Sequence, residues 1–274
     1  MKRLFDHRKV FAIVFVMLSF RVVAQNSQLT WTEVMPGVWK GIVGVPEGYD
    51  LLKAAGSVPN KEALSKMATV VFPISQNDVS GKINDGKTFL RFPLEKEEQL
   101  YGFGLNFQTV HQRGKILQLH MDHYGGKDNG RTHAPVPFYV SSKGYGVFIN
   151  SARYIDVYAG TGVRKDSKNP PAEKDRNTDK SWSSRPYSDA VEILVPAAGV
   201  EVYVFAGPTT LDAVRRFNLF NGGGPLPPRW GLGFTQRVRS LFTADEVKAE
   251  ADSFNKKGYP LDFIGLEPGW QSKS

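Results

Sequence analysis

Side chains capable of chemistry gather near the C-terminal end of the chain, where Glu267 follows the run Leu261-Asp262-Phe263-Ile264-Gly265-Leu266 and precedes Pro268-Gly269-Trp270. Pro268 has no N–H with which to extend a ladder, so a strand ending there leaves the Glu267 carboxylate at a rim. Such a group either faces a ligand or is a solvated charge paired with a lysine. Two guanidinium groups, Arg237 and Arg239, follow an earlier strand pattern. Farther upstream, His120, Asp122 and His123 have side-chain types that ligate metals. A cation there would need a further ligand from elsewhere and none is evident, so no metal or other cofactor is expected. His111 and His133 each stand alone and read as ordinary hydrogen-bonding residues. Asp245 and Glu246 form a carboxylate pair on paper, but their place at a helix start accounts for both.

The elements that would position Glu267 form one β-α-β unit. Residues 230–235 read as a strand. Thr243-Ala244-Asp245-Glu246 has the spacing of a capping box. Val247, Ala251 and Phe254 recur at helical spacing, Lys256 and Lys257 complement the helix dipole, and Gly258 offers a left-handed stop. Residues 261–266 return as a strand, and a connection of this kind implies parallel pairing. Alternation places Gly231, Gly233 and Thr235 on one face of the first strand, and Phe263, Gly265 and Glu267 on one face of the second. Trp230, Leu232, Phe234, Ile264 and Leu266 point the other way. With the bulky residues against the helix, the glycine-rich faces line a barrel interior and Glu267 stands at its carboxyl-terminal mouth.

Between residues 29 and 205 the pattern changes to short aromatic and β-branched runs, at 30–33, 38–43, 69–72, 88–92, 116–121, 136–140, 146–150, 154–158, 190–195 and 200–205. Ten short strands with few helical windows predict an antiparallel β-sandwich. The turn Lys82-Ile83-Asn84-Asp85-Gly86-Lys87 fits a hairpin link. Residues 165–185 carry many charges, two prolines and several serines, and read as a long exposed loop. Residues 209–220 read as a helix capped by Thr209 or Thr210. The run Gly222-Gly223-Gly224-Pro225 then stops it. No Lys-Ser or Lys-Thr follows those glycines, so they read as a linker and not as a phosphate loop.

With 274 residues, the chain can bury one large core or two smaller ones. Lys2, Arg3, Arg8 and Lys9 precede an apolar run from Val10 to Phe20, and Val22-Val23-Ala24 follows. A basic start, a short apolar core and a small exit residue describe a secretory signal over residues 1–24, with a retained N-terminal anchor as its rival. Loss of that segment removes five basic residues and one acid, and the formal charge of +8 becomes +4. The excess is mild and forms no basic helix face, which argues against nucleic acid as a partner. The absence of cysteine excludes disulfides, so an exported protein of this sequence rests on its core. The domain reading is a signal at 1–24, a sandwich at 25–221 and the start of a (β/α) barrel at 222–274.

These stretches together carry a family resemblance. A sandwich, then Leu226-Pro227-Pro228-Arg229-Trp230-Gly231-Leu232-Gly233, then Tyr259-Pro260-Leu261-Asp262-Phe263-Ile264-Gly265-Leu266-Glu267 with Trp270 nearby, resembles glycoside hydrolase family 31, the retaining α-glucosidases, α-xylosidases and relatives. Tyr101-Gly102-Phe103-Gly104 is similar to the family's glycine-rich turn, Met121-Asp122-His123-Tyr124 to its Asp-containing sandwich loop, and Pro135-Val136-Pro137-Phe138 to the strand after it. The resemblance covers residues 99–271.

It implies double-displacement cleavage of an α-glycosidic bond by two aspartates on later barrel strands, with carboxyl groups about 5–5.5 Å apart. Only 46 residues follow Pro228, against about 250 for a whole barrel. The chain is therefore expected to be the amino-terminal part of an exported enzyme, lacking both aspartates and inactive alone. A stand-alone carbohydrate-binding or structural β-sandwich is the alternative. By the resemblance, Glu267 falls where the family has a sugar-binding aspartate. Its extra methylene puts glucose specificity in question and would suit a sugar such as an α-galactoside or α-N-acetylgalactosaminide. Trp270 would stack on a pyranose face or simply pack its loop. The family's arginine after the first strand is met by Arg237 or Arg239, of which Arg239 is taken as the sugar-side one. Asp122 would lie in the sandwich loop leaning over the mouth. The expected partner is thus an α-glycoside, with no membrane span once the signal is cleaved, and the expected destination is the periplasm or the medium.

Overall fold

The computed structural model describes residues 27–106, 109–122, 131–161, 174–182, 184, 187–224 and 226–270. The signal at 1–24 and His123 lie outside the described residues, as does most of the loop at 165–185. The chain divides into two compact units, Met1–Gly222 and Gly223–Ser274.

In the first unit, β1 (Ser27–Gln28), β2 (Trp31–Met35) and β3 (Val38–Gly44) lead to two short helices, α1 (Leu51–Ala54) and α2 (Lys61–Ser65). Next come β4 (Ser80–Asn84), β5 (Lys87–Pro93), β6 (Leu100–Leu105), β7 (Lys115–Met121) and β8 (Arg131–Thr132). β9 (Ala134–Ser141), β10 (Tyr145–Asn150), β11 (Ile155–Thr161), β12 (Tyr187–Val195), β13 (Gly199–Ala206) and the helix α3 (Thr210–Phe220) complete it. A seven-stranded sheet runs β1-β4-β5-β12-β11-β7-β8 and a six-stranded sheet runs β2-β3-β13-β10-β9-β6. All neighbours pair antiparallel except the short β7–β8 pair.

Alternation decides the layering. In β13, Val202 and Val204 join the core between the sheets, while Tyr203 and Phe205 face α3 on the outer side. Val147 and Ile149 of β10 likewise face inward and Phe148 faces the helix. The central strands β10 and β13 are buried on both faces, so they read as nearly unbroken apolar runs. Phe217 of α3 stacks on Phe138 at a centroid distance of 3.8 Å, and Phe220 lies edge-on to Phe205 at 5.4 Å. Thr209 caps α3 by accepting from the Asp212 N–H at 3.2 Å. One carboxylate in this core, Glu98, is 2% exposed. It accepts from Ser141 Oγ, from the Tyr145 hydroxyl at 2.5 Å and from the Glu95 N–H at 2.9 Å. Its lone pairs serve the fold, which removes it as a catalytic acid.

Sequence pattern and structure part in two places within this unit. The run at 69–72 forms no strand. Phe72 instead plugs the core beside Trp31 and Trp39, at 5.0 and 5.4 Å. The turn expected at Tyr101-Gly102-Phe103-Gly104 lies inside β6, which bulges against β9 between Gly102 and Gly104. Three successive positive φ values, 109°, 64° and 99° at Gly102, Phe103 and Gly104, turn the Phe103 ring into the core against Tyr139. A Cβ at Gly104 would fall 2.0 Å from the Ala134 carbonyl oxygen, so only glycine fits. The hairpin link expected at residues 82–87 does form, as the two-residue hairpin β4–β5, with φ of 49° at Asp85 and 68° at Gly86.

The second unit holds β14 (Thr235–Arg237), α4 (Ala244–Lys257) and β15 (Phe263–Gly265), and the two strands pair in parallel. α4 carries the full capping box at Thr243 and Glu246 and ends at Gly258 with φ 70°. The strand expected at 230–235 begins only at Thr235. Arg229–Leu232 instead forms a 3-10 turn, closed by Gly231 N–H to the Pro228 carbonyl at 2.9 Å and Gly233 N–H to the Trp230 carbonyl at 3.0 Å. Pro228 and the two glycines favour that turn over a ladder. Among the described residues no helix is long and apolar enough to cross a membrane.

Candidate functional site

The later start of β14 changes which side chains meet Glu267. Thr235 pairs with Phe263, Gln236 with Ile264 and Arg237 with Gly265. Phe234 and Gln236 face α4: the Phe234 ring lies 5.8 Å from that of Phe254, and Gln236 Nε2 donates to Glu250 Oε1 at 3.3 Å. Arg237 occupies the opposite face. A Cβ at Gly265 would sit 3.4 Å from Arg237 Cγ, so the bare glycine lets the arginine stem lie across β15. Its Nη2 then pairs with Glu267 Oε1. The Glu267 side chain is 25% exposed and that of Arg237 67%, which makes the pair a surface one worth about 0–1 kcal/mol. Its value is directional, because it aims one carboxylate oxygen, and the other has no hydrogen-bond partner among the described residues.

Glu267 and Trp270 are the first and last residues of one tight turn. The Trp270 N–H donates to the Glu267 carbonyl at 3.3 Å, Pro268 takes the second position, and Gly269 has φ 98° at the third. Proline followed by glycine with positive φ is the pattern of a type II turn. The Trp270 indole is 64% exposed. Carboxylate and guanidinium thus meet just past β15, and Trp270 ends the same turn. Arg239, the arginine chosen from the sequence, lies two residues past β14 and is exposed, and its carbonyl accepts from the Phe242 N–H at 3.1 Å. Counting register from a strand that starts at Thr235 would have singled out Arg237, the cross-strand partner of Gly265, which is two residues from Glu267.

The opposite end of the strand pair is held by Asp262. Its Oδ2 accepts from the Phe234 N–H at 2.8 Å and its own N–H donates to the Phe234 carbonyl at 2.9 Å. A Cβ at Gly233 would lie 1.9 Å from that Oδ2, so the carboxylate occupies the space a side chain would need.

In the first unit, Asp122 follows β7 with its side chain 13% exposed, and it accepts from Arg131 Nη1 at 3.4 Å. Its backbone N–H donates to the Thr132 carbonyl at 3.0 Å. His120 stacks on Tyr154 with centroids 4.0 Å apart and planes 27° from parallel. Burial, followed by the charges of Arg113 and Lys115, lowers the His111 pKa from its ordinary value. The His133 N–H donates to the Leu105 carbonyl at 3.2 Å. Among the described residues no three His, Asp or Glu side chains are grouped to hold a metal ion.

Along the chain, a two-layer sandwich backed by a helix is followed by a β-α-β unit with a carboxylate just past its second strand. The description "Glycosyl hydrolase 31 N-terminal galactose mutarotase-like domain" matches residues 18–157, and "Glycosyl hydrolases family 31 TIM-barrel domain" matches residues 224–274. The chain belongs to glycoside hydrolase family 31. It is 24% identical over 177 residues to the α-xylosidase XylQ of Lactiplantibacillus pentosus, covering 64% of this chain and 20% of that protein. Over a shorter stretch of 68 residues it is 43% identical to α-glucosidase 2 of Bacillus thermoamyloliquefaciens, covering 25% of this chain and 9% of that one. A Flavobacterium johnsoniae GH31 dextranase solved with glucose shares the fold at a TM-score of 0.62 and 18% identity, over 90% of this chain and 32% of the other. The chain thus spans about a fifth of the length of the curated α-xylosidases it matches.

Proposed function

We propose that this chain is the amino-terminal part of an exported, retaining α-glycoside hydrolase, and that Glu267, Arg237 and Trp270 form part of the wall that holds the sugar at the cleaved end. The observation that carries this reading is the Arg237–Glu267 pair on the strand face opposite α4. In a closed barrel that face is the interior, and strand ends on the carboxyl side form the active-site mouth. Glu267 accepts hydrogen bonds from sugar hydroxyls through the oxygen not committed to Arg237, each worth about 1.5–3 kcal/mol. Trp270 offers its ring to the C–H side of the pyranose. By the family resemblance Asp122 is a further candidate for sugar contact, and Arg239 contacts substrate beyond the cleaved sugar. The nucleophile and the acid/base, two carboxyl groups about 5–5.5 Å apart in the retaining mechanism, are supplied from later strands. Hydrolysis is then a property of the whole enzyme, and residues 1–24 direct its export.

Glutamate at this position, drawn toward Arg237, retracts the acceptor from a glucose-shaped site and favours a sugar of different hydroxyl orientation, such as an α-galactoside or α-N-acetylgalactosaminide. The test pairs two preparations. The 274-residue chain alone should release no chromophore from aryl α-glycosides, and measurable turnover would overturn the assignment of the catalytic carboxylates to later strands. In an enzyme carrying this segment joined to a whole barrel, Glu267→Ala should lower kcat/KM by about 10–100-fold. Activity on aryl α-glucosides with none on galacto-configured substrates would remove the specificity assignment and leave the site intact.

A further inference from the structure

The outer face of the seven-stranded sheet carries a second group of side chains with recognition chemistry. Leu117 and Leu119 of β7 and Ile155 and Val157 of β11 point into the core, so the residues alternating with them point outward. Antiparallel register sets Asp156 directly opposite Gln118, and Ile155 opposite Leu119, which places His120 opposite Tyr154 in the next outward row. The two rows are about 7 Å apart along the strands. That separation matches the distance from the middle of a pyranose stacked on one row to hydroxyls reaching the other.

Each row has its own chemistry. Tyr154 lies parallel to His120 at 4.0 Å and is 66% exposed, so one ring face is fixed by the imidazole and the other meets solvent. An aromatic face held in place before binding loses little side-chain freedom when a ligand stacks on it. In the second row the Gln118 amide has no hydrogen-bond partner among the described residues, and neither has the Asp156 carboxylate. Burial raises the Asp156 pKa from its ordinary value, with the nearby Lys87 charge opposing it. A half-buried carboxylate without a donor gains from an incoming hydroxyl what it lost in hydration. Amide and carboxylate together offer donors and acceptors in one line, the set that neutral vicinal diols satisfy.

We infer that Tyr154, His120, Gln118 and Asp156 form a carbohydrate-binding subsite on the outer face of the sandwich, separate from the Glu267 turn, which takes a neutral sugar residue of an α-glycan chain. The choice of α-glycan rests on the proposed function, whereas the place and the chemistry rest on β7 and β11 alone. A polymer engaged here is kept near the enzyme after each cleavage, so a weak subsite raises the effective substrate concentration.

The test is affinity electrophoresis and calorimetry of the 274-residue chain with pullulan, dextran and soluble starch, with a β-glucan as control. The expected result is retardation by at least one α-glucan, a rise in Kd of roughly tenfold for Tyr154→Ala and for Gln118→Ala, and near-normal binding for Tyr154→Phe. Gln118→Ala keeps the test alive if Tyr154→Ala does not fold, because Gln118 is exposed and its side chain has no described bond. Binding lost with Trp270→Ala but kept in both sandwich variants would overturn the outer subsite and uphold the Glu267 site. Retardation by none of the three polymers would overturn the outer subsite and leave the Glu267 reading to its own assay. Equal retardation by the β-glucan would overturn the assignment to α-glycans.

Discussion

Helices α3 and α4 make an instructive pair. α4 has the better local signals: a complete capping box, acids in its first turn, two lysines in its last and a left-handed glycine stop. α3 has a single threonine cap, no basic residue in its last turn and an asparagine end. Yet α3 buries Ala213, Arg216 and Phe220, whereas α4 buries no residue at all. The surrounding segments follow suit, since Leu226, Leu232 and Leu241 near α4 are 94%, 74% and 93% exposed. Local sequence rules therefore specify a helix without specifying what it packs on, and most helix stability in proteins comes from the packing. The sandwich has both, and the β-α-β unit has mainly the first.

Four outcomes would break or sharpen that contrast. Limited proteolysis should act first and most completely on residues beyond 222, leaving a resistant sandwich readable by mass spectrometry. Survival of α4 alongside the sandwich would end the comparison. Next, Phe220→Ala should cost about 3–5 kcal/mol in urea unfolding, because the ring is buried against Tyr203 and Phe205. Phe254→Ala in α4, where the ring is only half-buried, should cost about 1 kcal/mol or less. Third, Gly104→Ala should destabilise the sandwich by about 3 kcal/mol, combining backbone strain with a clash at the Ala134 carbonyl. A melt indistinguishable from the parent would show that the β6 bulge relaxes freely.

The smallest effect is one of pH. Hydrogen bonds from the Thr243 backbone N–H and hydroxyl lower the Glu246 pKa from its ordinary 4.5. A depressed carboxyl stabilises the fold when ionised, so its contribution is complete above pH 4.5 and fades as pH falls through the lower folded value. Circular dichroism of a peptide spanning residues 241–260 should lose helix on acidification below that point. The Glu246→Gln peptide should lose less.

Much of the sandwich was legible because its strands alternate cleanly or, where both faces are buried, run unbroken as in Val200-Glu201-Val202-Tyr203-Val204-Phe205. β6 was not. Its glycines read as a turn, and nothing local reveals that Phe103 between them must adopt a positive φ to reach Tyr139. The run at 69–72 failed for the converse reason, since β-branched and aromatic residues suit a ladder and a core plug alike. In the candidate site, the Glu267 rim position followed from Pro268, and the α4 cap from Thr243 and Glu246. The Arg237 partnership was hidden because the 3-10 turn at Arg229–Leu232 delays β14, and a shift of strand start moves which arginine faces which carboxylate. Hydrogen bonds to Pro228 and Trp230 carbonyls decide that start, and they exist only once the chain has folded.

Asp262 gives the β-α-β unit a property of timing. By bonding the Phe234 backbone in both directions while filling the space over Gly233, it fixes the alignment of β14 with β15 using only residues from 233 to 263. A ribosome releases the chain from its amino end, so this alignment can be set as soon as residue 263 leaves the exit tunnel. Any strand added later would meet an edge whose register is already decided, and the first pair would act as a ruler for the rest.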